Sequence, residues 1–183
     1  MNSTSNTHPH RSPVRGECLA VLLLLALVCL LAWPGMKAPL LLDDLDQLDL
    51  ANGFSSWQDC FGKDACGLFR PVKNLIFYGL GDVSVFRWHA LNLALYLTAI
   101  PVVYLFLRRL LDSPAWAFAA VTLWATCPTQ ASTAVWMSCV NISLAIAFTC
   151  ACVYFHDFSR AGSGHALRWT LLAGLCLFLA QSN

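Results

Sequence analysis

The chain reads as an all-α, multi-pass transmembrane helical bundle of about five spans, and three observations predict it. Hydrophobic residues make up 58 % and charged residues 11 %, at a mean hydropathy of +0.61. Ordinary soluble domains carry about a quarter charged residues. The charges are also segregated. No Asp, Glu, Lys or Arg falls in Cys18–Trp33, in Trp88–Leu107, or between Asp112 and Asp157. In lipid the backbone must satisfy its own hydrogen bonds, so such stretches predict helices. Finally, Lys and Arg divide unevenly between the two sides of those stretches. A net charge of +1 with no basic stripe excludes a nucleic-acid partner. The length of 183 residues suggests one domain.

The polar residues 1–16 are expected to be a disordered cytoplasmic tail, followed by a membrane domain over 17–183. Cys18–Trp33 is apolar throughout and about 24 Å long at the α-helical rise. It is short for a bilayer core of ~30 Å but spans it with Pro34–Met36 added. A cleaved signal peptide is the rival reading, and Leu31-Ala32-Trp33-Pro34 is a poor cleavage site. Trp88–Leu107, closed by Arg108 and Arg109, is the second span. The stretch from Asp112 to Asp157 is long enough for two crossings. Cys127-Pro128 marks the break, because Pro disfavours helix in the residue before it. The third and fourth spans are therefore Ala115–Thr126 and Ala134–Phe155. Ala166–Ala180 is a last apolar run. These spans predict helices over 17–35, 84–111, 114–127, 133–158 and 166–181, with short helices along the membrane surface in 36–80.

With the N-terminus inside, the inner segments hold Arg11, Arg15, Arg108, Arg109, Arg160 and Arg168. The much longer loop 34–84 holds Lys37, Lys63, Arg70 and Lys73. The bias predicts an integral membrane protein with a cytoplasmic N-terminus and an extracytoplasmic loop 34–84. Trp33, Trp57, Trp88, Trp136 and Trp169 fall near the predicted interfaces, where an aromatic belt places them.

Seven of the ten acidic residues lie in loop 34–84. Four are in Asp43-Asp44-Leu45-Asp46-Gln47-Leu48-Asp49, where Leu41, Leu45 and Leu48 share a helical face. A helix on the bilayer surface would hold these carboxylates at headgroup depth. The plainer reading is a solvated acidic turn. Asp44-Leu45-Asp46 matches a bare D-x-D, but no nucleotide-binding α/β segment accompanies it. A calcium loop lacks its Gly and its terminal Glu. Arg70 and Lys73, three apart, suit a lipid phosphate or ordinary headgroup contact. His89 and Asn92 share a face of the second span, and either glue helices together or line a site. Of nine Cys, most lie within spans and pack as small hydrophobes. Cys60 and Cys66, in the outer loop, are the disulfide candidate. No metal site is read, although a divalent ion is left open.

The order of these features resembles the N-terminal part of the GT-C polytopic glycosyltransferases. The branch is that of the protein O-mannosyltransferase-like proteins with tetratricopeptide repeats and their bacterial relatives. Leu42-Asp43-Asp44, Phe69-Arg70-Pro71, Trp88-His89-Ala90-Leu91-Asn92, Leu107-Arg108-Arg109-Leu110 and Ala134-Val135-Trp136 carry the resemblance over residues 18–183. It implies a polyprenyl-phosphate sugar donor and an acceptor glycan or protein on the outer face of a bacterial inner membrane. It also implies a first-loop Asp as base, here Asp43 with Asp44 as its supporter. Arg70 and Lys73 would steady the donor phosphate, and His89 and Asn92 would line the site. Two departures stand out. His-Pro-x-x-x-Glu is replaced by Cys127-Pro128-Thr129-Gln130-Ala131-Ser132, and the family has more spans, so the chain reads as an N-terminal piece. A non-catalytic remnant or assembly partner of the same ancestry is the main competing expectation. A small transporter lacks an internal repeat. A disulfide oxidoreductase lacks C-x-x-C spacing.

Overall fold

A computed structural model of the chain describes residues 13–81, 83–160 and 166–181. Among them there is no strand, only one isolated bridge between Lys63 and Phe69. Eight α-helices follow in order: α1 Pro13–Ala32, α2 Leu42–Asn52, α3 Pro71–Leu80, α4 Val85–Leu110, α5 Pro114–Thr126, α6 Pro128–Thr133, α7 Val140–Arg160 and α8 Ala166–Gln181. Short 3₁₀ turns occupy Trp33–Lys37, Trp57–Phe61 and Met137–Cys139. Three segments are long and apolar enough to cross a membrane: Arg15–Lys37, Val85–Leu110 and Met137–Asp157. At 13 and 16 residues α5 and α8 are shorter.

Local sequence accounts for most of the boundaries. Pro71 and Pro114 stand at the first helical position, where a missing N–H costs nothing. Ser113 caps α5 through the Trp116 amide. Cys127 is extended before Pro128, so α5 ends at the expected break. Two expectations need correction. Helix already runs through Pro13–Gly16, so residues 13–16 are not tail, and residues 1–12 lie outside the described residues. The fourth span does not begin at 133. Ala134–Trp136 leaves the helix, a 3₁₀ turn follows, and α7 starts at Val140.

The main core is made by α1, α4 and α5. Leu24, Val28 and Ala32 form one stripe of α1 and Ala117, Val121 and Ala125 one stripe of α5. They close on Leu93, Tyr96, Ile100 and Val103 of α4. Ala117 and Ala125, two turns apart, let the α5 backbone approach closely, as in helix pairs packed in lipid. Outward, α1 exposes Leu19, Leu22, Leu23, Leu27, Leu30 and Leu31, and α5 exposes Trp116 and Leu123. An apolar surface of this extent suits lipid, not water.

A second core joins α2, α3, the start of α4 and the start of α7 with the turn before it: Ala51, Phe77, Trp88, Met137 and Val140. Trp88 is therefore not a belt residue. It is 1 % exposed and packs on Phe77 with ring centroids 4.6 Å apart. Trp33 and Trp57 are exposed.

Where the chain leaves helix after α6, α4 satisfies the freed carbonyls. Asn92 Nδ2 donates to Thr133 O at 2.8 Å and to Trp136 O at 3.1 Å. Each buried carbonyl left unpaired costs roughly 1–3 kcal/mol. Asn92→Leu keeps the volume and removes both donors. It should lower stability by about 2–5 kcal/mol, read as a large fall in the thermal midpoint of the detergent-solubilised protein.

Candidate functional site

Where α1 ends and α4 begins, the chain forms an open cavity of about 460 Å³, within the usual size of ligand pockets. Its walls come from the end of α1, the Trp33–Lys37 turn, the start of α2, the start of α4 and the α6–α7 link. Most are apolar, with Leu31, Pro39, Leu41, Val135 and Trp136 prominent. Asp44, His89 and Ser132 are the ionisable and hydroxyl groups. Gly35 is required here: a Cβ at this position would come within 2.7 Å of the Val135 methyls. The close approach of the 3₁₀ turn to the α6–α7 link thus depends on the missing side chain.

Asp44 is 1 % exposed. Its Oδ2 accepts from the Leu41 amide at 3.0 Å, capping α2. Its Oδ1 accepts from the Ser138 amide at 2.7 Å and the Ser138 hydroxyl at 2.8 Å. One carboxylate therefore ties α2 to a turn 94 residues later, and Oδ2 keeps a free lone pair. Asp43, the next residue, is exposed and does not line the cavity.

His89 is 2 % exposed and is both glue and wall. Its Nδ1 lies 2.7 Å from Val135 O and its Nε2 lies 2.9 Å from Ala38 O. The tautomer decides which of the two carbonyls receives the ring N–H. Asn92 is glue only: it lies a turn deeper and does not line the cavity. The Trp136 indole N–H, on the cavity wall, is buried and has no acceptor among the described residues.

Arg70 and Lys73 stand elsewhere. Both pair with Asp64: Arg70 Nη1 at 3.1 Å and Lys73 Nζ at 3.6 Å from Oδ2. The Asp64 side chain is fully buried, and Oδ1 also accepts from the Cys66 and Leu68 amides at 3.0 and 2.9 Å. Burial is the largest single influence and would push its carboxyl up. The Leu68 backbone contact and the Lys73 and Arg70 cations together outweigh it and hold the carboxyl below its ordinary value. Behind this pair, Gln47 Nε2 donates to Asn74 Oδ1 at 3.0 Å, and Asn74 Nδ2 donates to Cys60 O at 3.0 Å. The two cations are thus part of a buried knot that folds the acidic loop, and neither faces the cavity.

Cys60 and Cys66 are not bridged; all nine cysteines are free thiols. Cys60 is fully buried and Cys66 exposed, so their side chains point to different environments. Burial, with the nearby Asp59 charge, pushes the Cys60 thiol up, which makes it inert. Among the described residues no three His, Cys, Asp or Glu side chains converge as metal ligands.

Sequence reasoning missed Asp64, Ser138 and the Gln47–Asn74 pair. A lone Asp in Lys63-Asp64-Ala65-Cys66-Gly67 carries no periodic signal. The usable clue was charge balance: a buried Lys73 requires a carboxylate partner. Neither a known protein family, nor a curated protein, nor a solved structure matches this chain.

Removing the Asp64 charge leaves Lys73 buried and unpaired. Asp64→Asn should destabilise the loop by about 3–5 kcal/mol. The depressed carboxyl also sets a pH response. Its stabilisation is full above the unfolded value of 3.8 and is lost as pH falls through the lower folded value. Dithiodipyridine should modify Cys66 quickly and Cys60 slowly at neutral pH. Cys60 should become reactive in Asp64→Asn at neutral pH, and in the natural chain only below about pH 4.

Proposed function

We propose that this chain is the N-terminal part of an integral-membrane glycosyltransferase of GT-C type. It transfers a sugar from a polyprenyl-phosphate donor to an acceptor hydroxyl on the extracytoplasmic face. The single observation that carries the reading is the buried Asp44 carboxylate on the wall of a largely apolar cavity. That cavity lies where the candidate spans end and the acidic loop begins. The order of motifs from Leu42-Asp43-Asp44 to Ala134-Val135-Trp136 supports it independently.

Asp44, not Asp43, is the base in this reading. Its free Oδ2 lone pair takes the acceptor proton while the acceptor oxygen attacks the anomeric carbon. The bond from that carbon to the phosphate oxygen breaks, and polyprenyl phosphate leaves with the electron pair. Attack from the face opposite the leaving group inverts the centre. The His89 ring offers an N–H on the same wall, where negative charge grows on the phosphate. Trp136 N–H offers a donor to a sugar hydroxyl. Arg70 and Lys73 have a smaller part than the motif suggests, because both are engaged by Asp64 and neither lines the cavity. Exposed Leu41, Leu42 and Leu45 set α2 against the headgroup layer.

A non-catalytic role is the second reading, and one observation favours it. Three hydrogen bonds already employ Asp44 as a cap and tie.

Sugar transfer by the full-length protein from a polyprenyl-phosphate donor separates the two. Asp44→Asn should lower the rate by at least about a hundredfold, the usual worth of a general base. Asp43→Asn should stay near the natural rate. Slow modification of Cys60 in each variant establishes that the loop is still folded. A folded Asp44→Asn variant at the natural rate would leave Asp44 a structural residue. Orientation has its own measurement. In a variant keeping Cys66 alone, an impermeant maleimide should label intact spheroplasts, and labelling only after permeabilisation would reverse the topology.

A further inference from the structure

At the other end of α4 and α7 lies an open basin of about 610 Å³. His89 and Arg109 are twenty residues apart on one helix, about 30 Å at the α-helical rise, which matches the thickness of a bilayer core. The basin therefore sits at the membrane edge opposite the Asp44 cavity. Its charged groups are Arg109 and Arg160 against Asp112 and Asp157, with His156 beside them. Arg109 is ion-paired to Asp157. Among the described residues Arg160 has no ion-pair partner, and Asp112, though within the field of Arg109, makes no direct ion pair, so one cation and one carboxylate keep hydrogen-bonding capacity for a visitor. Tyr154, on its wall, also lines a smaller apolar groove of about 190 Å³ with Val102, Leu105, Ala151 and Phe155. That groove runs between the same two helices toward the membrane centre.

We propose that this basin binds the headgroup of an aminophospholipid of the phosphatidylethanolamine class, with one acyl chain in the adjoining groove. The balance of two cations and two carboxylates fits a headgroup that is itself a dipole. Arg160 takes the phosphate as a planar fork. Asp112 accepts from the primary ammonium. A choline headgroup has no N–H to donate, and a glycerol headgroup has no cation for Asp112. Continuity with the apolar groove selects a lipid over a free phosphate ester. This site is independent of the proposed transferase reaction.

The purified natural chain is equilibrated in micelles with equimolar phosphatidylethanolamine, phosphatidylglycerol and phosphatidylcholine of matched acyl chains, and bound lipid is counted by native mass spectrometry. Phosphatidylethanolamine should be retained about tenfold over either competitor, the worth of one charge-assisted hydrogen bond. Asp112→Asn should erase the preference over phosphatidylglycerol while lipid is still bound. Arg160→Gln should weaken all three. Arg160 ends α7 and Asp112 lies in the turn between α4 and α5, and both are exposed, so neither change touches the core. Glycerophosphoethanolamine, which has no acyl chains, should fail to displace the bound lipid at equal concentration. Equal retention of the three lipids by the natural chain overturns the proposal, as does a preference that survives Asp112→Asn. Displacement by the chainless headgroup overturns the role of the groove.

Discussion

Two side chains one turn apart on α4 hold together the segments packed around the start of that helix. Between Thr133 and Trp136 the chain is not helical, yet it lies against helices that face lipid. Carbonyls freed there lose their helical partners, and each needs another donor. Asn92 donates to Thr133 and Trp136, and the His89 ring nitrogens lie against the carbonyls of Val135 and, across the gap, Ala38. This arrangement places Val135 beside Gly35 and brings Ser138 to Asp44. The cavity is the space left between these seated segments. Its shape thus follows from backbone hydrogen-bond satisfaction more than from apolar packing.

The acidic loop solves a different problem with charge. Lys73 is 1 % exposed, and a lone buried cation is untenable. Asp64 answers it, shared with Arg70 and with two loop amides. Removing one partner costs far more than the pair contributes, because the survivor keeps its desolvation penalty. The loop is therefore folded by an interaction that resists partial loss. The Gln47–Asn74–Cys60 relay runs from α2 through α3 to the loop backbone. The start of α2, where Asp44 sits, inherits its position from both systems.

The candidate site was half visible in the residues. The Asp43-Asp44 pair stands out because carboxylates are rare in this chain and these two follow an apolar run. Which one turns inward was not visible. The capping bond to Leu41 and the distant Ser138 choose Asp44, and a partner 94 residues away leaves no trace in local pattern. Arg70 and Lys73 read as a phosphate clamp because their spacing fits one. The same spacing lets both reach one buried carboxylate. Cys60 and Cys66 read as a bridge on spacing alone, whereas burial separates a core thiol from an exposed one.

The sequence alone determined the helical class, the positions of the long apolar segments and the break at Cys127-Pro128. These follow from hydropathy, proline geometry and capping, which act within a few residues. Tertiary structure decided where α7 begins, which aspartate faces the cavity, and what the loop cations do. It also decided that Trp88 packs inside. Each of these depends on a hydrogen bond, an ion pair or a ring contact between distant segments. Such partners are chosen by how the helices pack, and residue order does not encode them locally.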